Sequence, residues 1–185
     1  DRETLRLMNT DIDLTITRGE TSDIDAIVRF QADMAMESEG TRLDTETLTK
    51  GVTAAISDEG KGIYLVARAD GKAIGSLMLT REWSDWNNQW YWWIQSVYVM
   101  PEYRKKGVYK AMYATLKDMA QENGVSQIRL YADRTNLSAQ QVYQRLGMRE
   151  SHYLMFEETI GNNITSNTKL QYIKNHEGFT DKRQP

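Results

Sequence analysis

The sequence predicts an α/β domain: a mixed, mostly antiparallel sheet with helices on both faces. Three observations predict it. Runs of alternating or β-branched and aromatic residues, such as "DLTITR", "IYLVARA" and "WYWWIQSVYV", are bounded by turn residues. Stretches between some of them place apolar residues at helical spacing instead. Consecutive strands joined by a tight turn must be antiparallel, whereas the strand–helix–strand unit from Trp90 to Asp133 must be a right-handed parallel crossover.

The elements follow in order. "DLTITRGE" alternates Leu14 and Ile16 with Thr15 and Thr17 and reads as a first strand. Thr21 or Ser22 can cap a helix carrying Ile24, Ile27, Val28 and Met34. Asp44 or Thr45 opens a second helix with Leu48, Val52 and Ile56 on one stripe. Two β runs then meet at Asp70-Gly71, a short hairpin signal. After the turn-like "SDWNNQ" comes an aromatic strand, Trp90 to Val99, stopped by Pro101. From Val108, Ala111, Met112, Leu116, Met119 and Ala120 share one helix face, and Asn123-Gly124 ends it. "SQIRLYAD" reads as the next strand, Asn136 starts a helix closed by Gly147, and "ESHYLMFEE" reads as a last strand. The expected domain covers residues 8–157, taking Met8 as a native start. Residues 158–185 form a polar extension, expected to be a peripheral strand around Leu170 to Ile173 or a mobile tail.

Composition removes several classes of function. The chain has 185 residues, 23 basic and 26 acidic, for a net charge of −3. That balance carries no global footprint for nucleic acid, and no nucleic-acid partner is expected. There is no cysteine, which rules out disulfides, thiolate metal sites and a cysteine nucleophile, and fits a cytoplasmic chain. The two histidines, His152 and His176, lack identifiable metal-ligating partners, so no metal is expected. No run of about 18 apolar residues exists, so no membrane span is expected.

The chemistry concentrates in "YRKKGVY". A helix N-terminus offers free amide N–H groups and the positive end of the helix dipole, and a phosphate accepts both. Gly107 lets the backbone approach such a ligand, and Arg104, Lys105 and Lys106 add positive charge. The GxxxxGK[ST] and GxGxxG patterns are absent, which argues against a P-loop nucleotidase and a dinucleotide dehydrogenase. Arg104-x-x-Gly107-x-Tyr109 resembles the Gln/Arg-x-x-Gly-x-Gly/Ala loop of the GNAT superfamily of acyl-CoA-dependent N-acetyltransferases. "IQSVYVMPEYR" is similar to that family's fourth strand. "ADRTNLSAQQVYQRLGM" is similar to its later segment, through Asn136, Tyr143, Gly147 and Met148. Tyr109 departs from the pattern, standing where Gly or Ala is usual.

The resemblance implies acetyl-CoA as co-substrate and assigns roles by position. The backbone of Val97, Tyr98 and Val99 would pair with the pantetheine arm. The amides of Lys105, Lys106, Gly107, Val108 and Tyr109, beside Arg104, would hold the diphosphate. Asn136 would contact the arm or order the last helix, and Tyr143 would point its hydroxyl at the thioester sulfur. The family's fourth and fifth strands, here Trp90 to Val99 and Gln127 to Asp133, would be parallel and splayed to admit the acyl group. A homodimer is one state the resemblance allows.

Acyl transfer to an amine poses two proton problems. A lysine-like amine with a pKa of about 10.4 is neutral in only about one molecule in a thousand near pH 7.4, a deficit of about 4 kcal/mol. The departing thiolate needs a proton, which a tyrosine hydroxyl can supply; Tyr143 is the expected catalytic acid. The family's fourth-strand glutamate position falls on Trp93, which leaves the base open. Glu82 is the first choice and Asp85 the second, with Glu37 and Glu39 weaker. All five tryptophans lie between Trp83 and Trp93. Most of them are expected to pack in the core; Trp83 and Trp93, with Asp85, Phe30 and Met34, are expected at the acceptor pocket, where aromatic faces beside carboxylates suit a small cationic amine. The alternative function is a non-catalytic acyl-CoA-binding sensor or interaction module of the same fold.

Overall fold

A computed structural model describes residues 4–6 and 13–160. Its elements are β1 (Thr4–Arg6), β2 (Asp13–Arg18), α1 (Ile24–Glu39), α2 (Thr45–Ser57), β3 (Ile63–Ala69), β4 (Lys72–Ser84), β5 (Gln89–Val99), α3 (Val108–Glu122), β6 (Gln127–Arg129) and α4 (Leu137–Arg145). The strands form one sheet in sequence order, β1 to β6. Each neighbouring pair is antiparallel except β5 and β6, which are parallel. The predicted α/β class and the parallel crossover through α3 are therefore both present. Among the described residues no helix is long and apolar enough to cross a membrane.

Local signals set most boundaries. Asp44 caps α2 by accepting the amide of Thr47 at 2.8 Å, and Asn136 caps α4 by accepting that of Ala139 at 3.0 Å. Asp70 and Gly71 both have positive φ, as a two-residue hairpin between β3 and β4 requires. The entry to α1 differs from expectation. A short 3₁₀ turn, Thr21–Asp23, precedes it, and Glu20 and Asp23 form a reciprocal capping box in place of a Thr21 or Ser22 cap.

Packing accounts for the layers. Ile63 to Ala67 of β3 are buried without alternation, because helices cover both faces of the sheet. On one face Ile27 of α1 and Val52 and Ala55 of α2 pack on Tyr64 and Val66. On the other, α3 buries Val108, Ala111, Met112, Tyr113, Leu116 and Ala120. Met112 and Leu116 are fully enclosed, and each such side chain contributes about 1.5–3 kcal/mol of burial free energy.

Three expectations are corrected. β1 was not expected; three residues are too few to show a period, and only pairing with β2 defines the strand. β6 ends at Arg129, short of Asp133. "ESHYLMFEE" forms no strand: residues 150–158 enter no ladder, and Tyr153, Leu154 and Phe156 are exposed. Alternation permits a strand, but only a hydrogen-bonded neighbour makes one. All the described elements lie in a first compact unit, Asp1–Leu146; a second begins at Gly147 and is irregular through residue 160. Met8 and Leu170 to Ile173 lie outside the described residues.

Candidate active site

The site is built around the point where β5 loses its parallel neighbour. Pairing with β6 runs through Tyr91↔Gln127, Trp92↔Ile128 and Trp93↔Arg129 and then stops. β5 continues to Val99 with β4 alone, so among the described residues its other edge is unpaired from Ile94 onward. A bulge bends the same stretch. Ser76 opposes Tyr98 while Met78 opposes Gln95, which places two β5 residues against one of β4. Ser96, within the bulge, has φ 52°, and its carbonyl accepts from Gln31 Nε2 at 3.4 Å. Gly75 is required beside it, since a Cβ there would lie 2.7 Å from the Tyr98 carbonyl oxygen. Val97 and Val99 thus lie on a free strand edge, where an extended ligand can pair with backbone.

Strand β5 delivers the chain to the basic loop. Pro101–Tyr103 makes a 3₁₀ turn, Lys105 has φ 60° and Gly107 φ 85°. Gly107 is the N-cap of α3 and no side chain caps that end, so the first-turn amides from Val108 keep their donors for a ligand. Lys105 is exposed, and Lys106 Nζ stands 5.7 Å from the centre of the Tyr103 ring. Arg104 is used differently from expectation. Its Nε donates to the Val99 carbonyl at 2.8 Å, and its Nη2 to Glu37 at 2.7 Å. It ties the loop to β5 and α1 rather than facing outward with the lysines. The uncapped amides, the left-handed glycine and the free β5 edge fit a CoA diphosphate with its arm.

Tyr143 of α4 reaches this region. Its ring meets that of Tyr109, the second residue of α3, edge-on at 6.0 Å. Burial raises its pKa, so the hydroxyl keeps its proton at neutral pH.

The opposite end of β5 carries an aromatic cluster. Glu82 accepts from the Trp93 indole Nε1 at 2.5 Å and from Arg129 Nη1 at 3.2 and 3.3 Å. The Arg129 guanidinium lies 4.3 Å from the centre of the Tyr91 ring, and Tyr131 stands 6.3 Å from Trp93. Glu82 is therefore held in an ion pair and is poorly placed to act as a free base. Trp83 packs on its cross-strand partner Trp90 at 5.0 Å and is half exposed, and Asp85 lies exposed in the hairpin turn. That turn is at the far end of β5 from the loop, about 30 Å of strand away, so Trp83 and Asp85 are not brought to the loop. Phe30 stacks on Tyr98 at 5.5 Å, and Met34 is half-buried on the same helix. Tyr98 donates to Glu37 at 3.1 Å. Burial, and then the Glu37 carboxylate, push its pKa up to about 12. Sequence reasoning missed the roles of Gln31, Arg129 and the Glu37–Tyr98–Arg104 link, because none has a local pattern. The local sequence around a polar side chain carries no sign of its distant partner, whether that side chain is buried, as Gln31 and Tyr98 are, or exposed.

A profile of the "Acetyltransferase (GNAT) family" matches residues 25–148. The chain belongs to this family. The match spans the crossover, the basic loop and Tyr143. A possible acetyltransferase from Clostridium difficile 630 is 38% identical, with a TM-score of 0.76 over 80% of this chain and 99% of that one. A ribosomal-protein-alanine N-acetyltransferase from Brucella melitensis biovar Abortus 2308 is 20% identical (TM-score 0.66, 80% and 99% covered). The aminoglycoside N-acetyltransferase AAC(6')-Iy in complex with CoA is 17% identical (TM-score 0.67, 83% and 99% covered). These last two share the fold. No curated protein sequence matches. Among the described residues of this GNAT chain, no group of acidic or histidine side chains could hold a metal ion.

Proposed function

We propose that this GNAT chain transfers an acetyl group from acetyl-CoA to a primary amine by direct attack in a ternary complex. The observation that carries the reading is one juxtaposition. The free edge of β5, the uncapped start of α3 and the Tyr143 side chain meet in one region, where a diphosphate, its arm and a thioester can be held in that order. The co-substrate supplies an activated acetyl thioester. Val97 and Val99 extend the sheet to the arm, the amides from Lys105 to Tyr109 receive the diphosphate, and Asn136 fixes the start of α4 that carries Tyr143.

In the transfer the acceptor ammonium first gives its proton to water, and the neutral amine then forms the C–N bond as the C–S bond breaks. Tyr143 gives its proton to the departing sulfur and regains one, through water, from the nitrogen that has been acylated. Raised by burial, the Tyr143 pKa favours the protonated donor across the neutral range. The acceptor reading is a small cationic amine. Glu37 and Glu82 are already partnered by Arg104 and Arg129, and the Arg129 guanidinium lies 5.9 Å from the centre of the Trp93 ring, so the acceptor's charge would be met chiefly by the exposed face of Tyr131. Glu82 is better cast as the residue that orients Trp93.

Replacing Tyr143 by Phe should lower the chemical rate about 10²–10⁴-fold, the usual range for a lost general acid, with acetyl-CoA affinity little changed. Single-turnover kinetics against an amine library measure this; an unchanged chemical step removes Tyr143 from the mechanism. The pairing of Glu82 favours a second reading, a binding module without turnover. Acetyl-CoA uptake with no thiol release above hydrolysis across the library would select it.

A further inference from the structure

Gln31 of α1 is one of three buried polar or charged residues among those described. Its side chain has one hydrogen-bond partner there, the Ser96 carbonyl of β5 at 3.4 Å. A carbonyl only accepts, so the amide must present its nitrogen. An apolar side chain of similar length would be enclosed at lower cost, so the amide points to a function, and its partner shows where that function lies. The bulge at Ser96 reverses the phase of β5. Backbone groups of successive strand residues point to opposite edges. The Trp90 carbonyl accepts from the Ser126 amide on the β6 side at 3.1 Å, so Trp92 and Ile94 face that side and Gln95 faces β4. Continued unbroken, the alternation would turn Val97 and Val99 to β4. Beyond the bulge the order is opposite. The Met100 amide donates to the Ile74 carbonyl of β4 at 2.9 Å, so Tyr98 faces β4 while Val97 and Val99 face the open edge. Ser96 absorbs the change at a φ of 52°, which is strained for serine.

Register on both sides of the bulge leaves β5 one residue to spare, and the Gln31 bond selects the residue that takes it up. We propose that Gln31 is a positioning residue for acetyl-CoA: by holding the Ser96 carbonyl toward α1, it keeps the Val97 backbone turned to the open edge, in phase with Val99, where the pantetheine arm pairs. The inference rests on the acetyl-CoA reading above. It gives α1 a residue that acts on the co-substrate through β5 without touching it.

The test compares wild type with Gln31→Met, which keeps the length and loses the donor, and with Gln31→Asn, whose amide falls one methylene short of Ser96. Calorimetry would use two probes: CoA, and ADP, which has a diphosphate but no arm. Each variant should weaken CoA binding about 3–10-fold, the loss of one neutral hydrogen bond, and leave ADP binding unchanged. Adding Ser96→Gly to either variant should return CoA binding to within about twofold of wild type, because glycine takes the positive φ without help. A merely structural role would lower both affinities together and would not be mended at Ser96. Should Gln31→Met fail to fold, Gln31→Asn carries the same comparison. Undiminished CoA binding would overturn the inference and leave acetyl transfer standing. So would an equal loss for ADP, or a loss that Ser96→Gly leaves in place. Wild-type protein that takes up no CoA would instead remove the acetyl-transfer reading itself.

Discussion

Asp23 carries several interactions at once. It is buried, receives two hydrogen bonds from Arg68 Nη2 at 2.7 and 2.8 Å, and closes the capping box by accepting the Glu20 amide at 3.0 Å. Arg68 also donates to Thr17 Oγ1 at 3.1 Å, so a single charge pair fastens the entry of α1 to β2 and β3. Removing one partner of an enclosed pair strands the other charge. Asp23→Ala should therefore cost about 2–4 kcal/mol, measured as a fall in the midpoint of urea unfolding. The exposed pair Lys50–Glu46 on α2 sets the contrast. Water and salt screen it, and Glu46→Ala should change stability by less than about 1 kcal/mol.

Among the elements, the turn from β5 into α3 concentrates the most function in the fewest residues. Its shape depends on Gly107, whose φ of 85° lies where a side chain is strained. Gly107→Val should weaken CoA binding at least about tenfold, by displacing the α3 amides, which calorimetry can measure; an unchanged affinity would place the diphosphate elsewhere. The turn was legible because glycine, lysines and a following amphipathic run are local in sequence. The bend in β5 was not. "IQSVYV" reads as an uninterrupted strand, and nothing in it marks Ser96 as the residue that takes a positive φ. The bulge exists because β4 and β5 align in register on both sides of it with one residue to spare.

For the molecule as a whole, stability should fall in strong alkali. Tyr98 titrates near 10 when unfolded and at about 12 when folded. Its raised folded value means that the native state holds the proton more tightly. The stability this gives is fully present below pH 10 and is lost as pH rises from 10 towards 12. Denaturant melts at pH 8, 10 and 11.5 would show the decline, and Tyr98→Phe should flatten it.

The sequence by itself determined the class of fold, the order of elements from β2 to α4, the helix starts at Asp44 or Thr45 and at Asn136, and the anion-suited loop. Each of these rests on residues a few positions apart, whose propensities and spacing act without help from the rest of the chain. The tertiary structure decided where β6 stops, which arginine neutralises Glu82, that Arg104 turns to Glu37, and that Tyr109 meets Tyr143. Those outcomes depend on groups tens of residues apart in sequence. Their contact energies arise only once the sheet has set strand register and the helices have closed over it.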